Sequence, residues 1–144
     1  MPIQATIDTN LLISGTVFRN GPPGRLLDAI AQQRFTLVTS NAQRAELDNV
    51  LRRPKFSVGY RVTDERRDAL LRLLDNVATF VDPVPVSHDV VRDEKDRHII
   101  GAAVAGSVDY LVSGDKDLLV LAGHPILGSV QAITAVEFLT KLEL

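Results

Sequence analysis

Ala5-Thr6-Ile7-Asp8-Thr9-Asn10 and, far downstream, Tyr110-Leu111-Val112-Ser113-Gly114-Asp115-Lys116-Asp117 share one layout: a short apolar run that closes on an acid. Two further acids have a related setting. Glu46 lies about a turn and a half into a helix that follows the run from Phe35 to Thr39, and Asp96 sits in the first turn of a helix marked by Ile99, Ile100 and Ala103. In an open parallel α/β sheet, ligands bind at the carboxyl ends of the strands. Acids delivered there from separate segments converge on one rim, and carboxylates at close range do not all stay ionised without a cation. The pattern predicts a site for a hard divalent metal ion, and hence a metal-dependent enzyme.

Outward from these runs, strand and helix patterns alternate along the chain, the signature of a parallel α/β sheet. Strands are expected at 4–8, 35–39, 77–82, 109–113 and 129–133. Helices are expected to start at 11 and to cover 23–33, 41–51, 63–75, 94–105, 115–121 and 135–142. Leu47, Val50 and Leu51 fall on one helical face, as do Leu70, Leu71 and Leu74 behind a cap-like Thr63-Asp64-Glu65-Arg66. Arg19 to Gly24 reads as a turn, with Pro22 or Pro23 opening the next helix. No repeat, low-complexity tract or second domain is apparent, so residues 1–144 are expected to form a single domain of a size that buries one core.

Composition narrows the function further. The chain of 144 residues has 45% hydrophobic residues and no cysteine, with mean hydropathy +0.09. Disulfides, thiolate nucleophiles and cysteine-held zinc are excluded, which fits a cytoplasmic location. No apolar run approaches ~18 residues, so no membrane span is expected, and the N-terminus has no basic region followed by a cleavage site. The glycines do not follow phosphate-loop or dinucleotide-loop spacing. Net charge is −2, yet eight of the sixteen Lys and Arg residues fall between Arg44 and Arg72, while seven acids lie between Asp89 and Asp117. Five acids interleave the basic stretch, so solvated helix faces explain it as well as a phosphodiester-binding flank does. Arg52, Arg53 and Lys55 are its candidate nucleic-acid contacts.

Each acid has an ordinary alternative role. Asp8 could cap the next helix, although Asn10 would cap one starting at Leu11 equally well and leave Asp8 free. Glu46 borders the apolar stripe of its helix instead of opposing it. Asp96 precedes Ile99, Ile100 and Ala103 by three, four and seven residues, on the buried face, while Asp93 and Glu94 could serve the helix dipole from outside the core. Asp115 could cap the helix that follows, with Asp117 as a second acid at the same helix start. Thr9, Asn10, Ser40 and Ser113 are polar neighbours able to orient carboxylates or water. His98, two residues after Asp96, points away from it.

Taken together, Ile7-Asp8-Thr9-Asn10, Ser40 through Glu46-Leu47, Asp93 through Asp96, and Val112 through Leu119 resemble a PIN domain, the nuclease fold of many bacterial and archaeal toxin–antitoxin systems. Val50-Leu51-Arg52-Arg53-Pro54-Lys55-Phe56 is similar to the toxin branch of that family. The resemblance implies a three-layer α/β/α fold whose central parallel sheet of about five strands is ordered 3-2-1-4-5. It implies an acidic tetrad of Asp8, Glu46, Asp96 and Asp115, with Asp117 accessory and Thr9 or Asn10 as polar helper. Hydrolysis of RNA phosphodiesters would follow, with Mg²⁺ or Mn²⁺ suiting an all-oxygen site. Asp8, Asp96 and Asp115 are then the metal ligands, and Glu46 orients the attacking water or accepts its proton. Beside an RNA substrate, an antitoxin protein and a second copy of the chain are the candidate partners. One departure stands out: the branch commonly reads Asp-Pro-Asp-Asp where this chain has Asp93-Glu94-Lys95-Asp96, which keeps the acid but changes its loop. Two rival readings remain. A haloacid-dehalogenase-type phosphatase needs a second acid where Asn10 stands, and a PIN-fold binding module needs no catalysis at all.

Overall fold

Alternation along the strands separates two apolar layers. In β1 (Gln4–Ile7), Ala5 and Ile7 face one core. In β2 (Thr36–Thr39), Leu37 joins that core while Val38 joins another, and in β4 (Tyr110–Val112) Val112 and Leu111 divide the same way. With β3 (Thr79–Phe80) and β5 (Gln131–Ile133), these strands form one five-stranded sheet in the order β3-β2-β1-β4-β5, every pairing parallel. The computed structural model describes residues 2–143; Met1 and Leu144 of the expected single-domain span lie outside it.

Helices cover both faces. On one side, α1 (Thr9–Val17), α2 (Pro22–Ala31), α3 (Asn41–Leu51), α4 (Asp64–Val77) and α7 (Ala135–Lys141) bury Leu12, Leu26, Leu47, Leu74 and Phe138. Full burial of each such side chain contributes about 1.5–3 kcal/mol. On the other side, α5 (Glu94–Ala105) and the single turn α6 (Lys116–Leu119) supply Ile99, Ile100, Ala103 and Leu118. The result is the three-layer α/β/α arrangement, and no helix among the described residues is long and apolar enough to cross a membrane.

Several boundaries differ from the sequence reading. The first helix begins at Thr9, because Asp8 and not Asn10 is its cap. The third strand is two residues long instead of six. Helix α4 runs on through Val77, carried by Leu70, Leu71 and Leu74, and Pro83 and Pro85 follow closely with no N–H to extend a ladder. Helix α6 stops at Leu119, two residues early. Two short pieces were not foreseen: a π-helical turn at Lys55–Gly59 and a 3₁₀ turn at Pro125–Leu127. Strands β1 and β4 are adjacent although their sequence neighbours lie on opposite sides, so the chain reverses direction across the sheet between them. At such a switch point the strand ends leave a crevice.

Candidate active-site cleft

Residues Asp8 and Ser113 leave adjacent strands at that crevice and lock together. The Ser113 hydroxyl donates to Asp8 Oδ2 at 2.9 Å across 105 residues of sequence. Asp8 Oδ1 accepts from the Asn10 N–H at 3.4 Å, capping α1. Asp8 thus caps a helix and lines the cleft at once, with its two oxygens taking different partners. Ser113 Oγ also accepts from the Asp115 N–H at 2.9 Å, which fixes the loop carrying the next acid. Asp115 caps α6 by accepting from the Asp117 N–H at 2.8 Å.

Helix α3 brings Glu46. Ser40 caps it, accepting from the Gln43 N–H at 3.1 Å, and Gln43 then pins it to β1. From its buried position, Gln43 Nε2 donates to the Ile7 carbonyl at 2.7 Å and to Thr9 Oγ1 at 3.3 Å, while its Oε1 accepts from the Thr39 hydroxyl. Gln43 stands three residues before Glu46, so the clamp that holds α3 against β1 also sets how far Glu46 reaches toward Asp8. Sequence reading passed over Gln43; its signal was a long amide on the same helical face as Glu46, one turn earlier. On the opposite side, Asp93 caps α5 by accepting from the Lys95 N–H at 2.9 Å. This leaves Asp96, one turn in, free to face the crevice.

The acids Asp8, Glu46, Asp96 and Asp115 all line one cleft of about 500 Å³, together with Thr9, Asn10, Asp93 and Lys95. Ser40 is buried outside this lining and acts through α3. Ser113 is buried behind Asp8, and Asp117 opens onto a neighbouring hollow that it shares with Asp93. His98 is turned to Glu94, at 3.7 Å. Much of the basic stretch is engaged elsewhere: Arg44 pairs with Asp75 at 2.7 Å, Arg52 with Asp48 at 2.8 Å, and buried Arg67 with Asp64 at 2.8 Å. Arg53 and Lys55 do line the cleft, whereas Arg52 is directed away by its ion pair.

Crowded carboxylates leave an electrostatic mark. Asp96 is pushed up to about 6 by burial, and then by Asp93, Asp115, Asp8 and Asp117. Asp8 is raised by burial, with the Ser113 hydrogen bond opposing and the Asp115 charge adding to it. Glu46 is raised by burial and by Asp8 and Asp93, against Lys95 and the Thr9 hydroxyl. The cleft lining sets Asp8, Glu46, Asp93, Asp96 and Asp115 against Arg53, Lys55 and Lys95, so negative charge exceeds what the local cations neutralise. An all-oxygen donor set with surplus negative charge fits a hard divalent cation. As the side chains lie, no group of three acids or histidines among the described residues is close enough to hold an ion.

Comparison with known proteins agrees with this geometry. The PIN domain family model matches residues 4–117, a span that takes in all four acids. The chain belongs to the PIN domain family. The haloacid-dehalogenase-type reading falls with that match. PIN domains are generally nucleases and typically work with divalent metal ions. An uncharacterized protein of Methanocaldococcus jannaschii is 31% identical over 119 residues, covering 83% of this PIN chain and 75% of that protein. Among solved structures, VapBC2 from Rickettsia felis bound to a DNA fragment from their promoter matches with a TM-score of 0.55, covering 92% of this chain and 98% of that one. At 14% identity the likeness is one of fold.

Proposed function

We propose that this PIN domain, taken as one unit over residues 1–144, is a metal-dependent endoribonuclease and the toxin of a toxin–antitoxin pair. The observation that carries the reading is the meeting of Asp8, Glu46, Asp96 and Asp115 in one cleft at the sheet's switch point, three of them with raised pKa. Asp8, Asp96 and Asp115 would hold Mg²⁺ or Mn²⁺, which supplies positive charge for a phosphoryl oxygen and lowers the pKa of the attacking water. Glu46, on α3 and lining the same cleft, would orient that water or take its proton. Thr9 and Ser113 keep Glu46 and Asp8 in place, and Asn10 offers an amide at the cleft mouth. The fold shared with VapBC2 supports looking for an antitoxin partner, the family's toxin branch supports a cytoplasmic setting, and a second copy of the chain is a further partner to test for.

A mixed RNA pool with purified protein tests the proposal. Cleavage in Mn²⁺ or Mg²⁺ is expected, with loss in EDTA and loss in Asp8→Ala and Asp115→Ala variants that keep their circular dichroism spectrum. Cleavage surviving both substitutions would trace to a contaminant. The lack of a ready-made three-ligand cluster among the described residues favours one other reading, a PIN-fold binding module without catalysis. A negative result in every metal, with RNA still bound, would favour that module.

A further inference from the structure

The cleft has a second wall that hydrolysis itself does not use. Phe18, just past α1, and Phe56 and Tyr60, from the π-helical turn and its end, line it beside Arg53 and Lys55. Tyr60 lies between the other two rings: edge-on to Phe18, with centroids 5.5 Å apart and planes at 80°, and stacked on Phe56 at 5.8 Å and 29°. The Lys55 ammonium is 5.4 Å from the centroid of the Phe56 ring. Phe18 is 57% exposed and Tyr60 42% exposed, so the cluster turns aromatic surface to solvent at the edge of the acidic cleft. Its backbone is tied down: the Tyr60 N–H donates to the Lys55 carbonyl at 3.0 Å, and the N–H of buried Val62 donates to the Phe56 carbonyl at 2.8 Å. Arg61 between them takes a left-handed φ of 56°, which bends the chain back into the core and leaves Tyr60 outside.

We infer that this aromatic wall is a stacking platform for the bases of a single-stranded RNA, with Arg53 and Lys55 neutralising the phosphates beside it. The inference deepens the nuclease reading and rests on it. Bases in a duplex have their faces covered by their neighbours, so an open aromatic ring is met by a base splayed from a single strand. Charge complementarity favours the same occupant. An apolar protein segment laid on Phe18 and Tyr60 would cover Arg53 and Lys55 without offering them an anion, whereas a strand brings a phosphate with every base. The carboxylates line the same cleft as these cations, so a strand seated on the rings brings its backbone within the cleft that holds the acids. Stacking is indifferent to base identity, and this platform selects single strands more than it selects sequence.

Anisotropy of a fluorescein-labelled single-stranded RNA octamer, measured in EDTA so that no cleavage intervenes, tests the platform. An octamer with abasic riboses at its central positions and a blunt hairpin serve as controls. Wild type is expected to bind the intact octamer at least tenfold more tightly than either control, and a Phe18→Leu/Tyr60→Leu double variant with an unchanged melting curve is expected to lose that preference. Equal affinity for intact and abasic octamers would overturn the inference, as would a double variant that binds like wild type. If the double variant keeps its RNA affinity but changes a dimer into a monomer, the rings are a contact between copies and stacking is wrong. Cleavage by wild type with no effect of the double variant on KM would sink the platform and spare the nuclease. Preferential single-strand binding without cleavage in any metal would do the reverse.

Discussion

In the proposed reaction single carboxylates carry most of the chemistry, and each answers to its immediate neighbours. Asp8 takes the cap that sequence also offered to Asn10: one oxygen caps α1 and the other receives the Ser113 hydroxyl. Asp8→Asn preserves both contacts, because an amide keeps one acceptor and Ser113 Oγ can accept as well as donate. It removes the charge without removing the cap, whereas Asp8→Ala also costs the cap, about 0.5–2 kcal/mol. The raised pKa values fix the sign of the pH response. Asp96, ordinarily near 3.8, is pushed up to about 6, so its folded-state preference for the proton stabilises fully below pH 3.8 and is lost as pH rises through about 6. Asp8 and Glu46, also raised, act in the same direction. Urea denaturation of the metal-free protein should therefore show this contribution to stability falling between pH 4 and pH 7, and millimolar Mg²⁺ or Mn²⁺ should restore stability at pH 7 but not at pH 4. A metal effect of equal size at both values would dissociate these acids from the ion.

Among elements, α5 and the loop before it illustrate what sequence conveys and what it withholds. The helix spans Glu94–Ala105, as the spacing of Ile99, Ile100 and Ala103 indicated, and Asp96 falls on its inner face. Strand-and-helix alternation was legible because each element must bury one stripe, and that demand is written locally. Contacts between elements are not. Nothing local announces that Gln43 would reach the Ile7 carbonyl, that Phe18 would meet Tyr60, or that Arg52 would turn to Asp48 and leave the cleft to Arg53 and Lys55. The third strand failed for a related reason, since Val77 reads equally well as a strand start or a helix end until α4 is packed. The same loop also shows how close packing positions an acid. The Val84 N–H donates to the Gly101 carbonyl at 3.1 Å, and a Cβ on Gly101 would lie 2.4 Å from the Val84 carbonyl oxygen. Gly101→Ala should push this connection off α5 and destabilise the fold by about 1–3 kcal/mol, read by chemical denaturation. A variant as stable as wild type would mean that the loop is not clamped there.

At the scale of the whole molecule, a chain with net charge −2 can hold RNA only through local contacts. Ion pairs consume Arg44, Arg52 and Arg67 within the fold, and Arg53 and Lys55 project into the cleft. Neutralising Arg53 and Lys55 together should lower the slope of log affinity against log salt by about 1.4 for single-stranded RNA, at ~0.7 per phosphate contact. Arg52→Ala should leave the slope unchanged, and a fall with Arg52→Ala instead would move the binding face onto the outer side of α3. All of this presupposes that acids from four segments form a divalent-metal centre, and that claim has a direct test. Mn²⁺ titrated into the protein at pH 7.5 and followed by electron paramagnetic resonance counts bound ions without reference to any substrate. Saturable binding of at least one ion per chain is expected, and it should be lost in Asp8→Asn and Asp115→Asn proteins whose metal-free melting temperatures are no lower than that of wild type. Binding that is absent in wild type, or that survives both substitutions, would contradict the account.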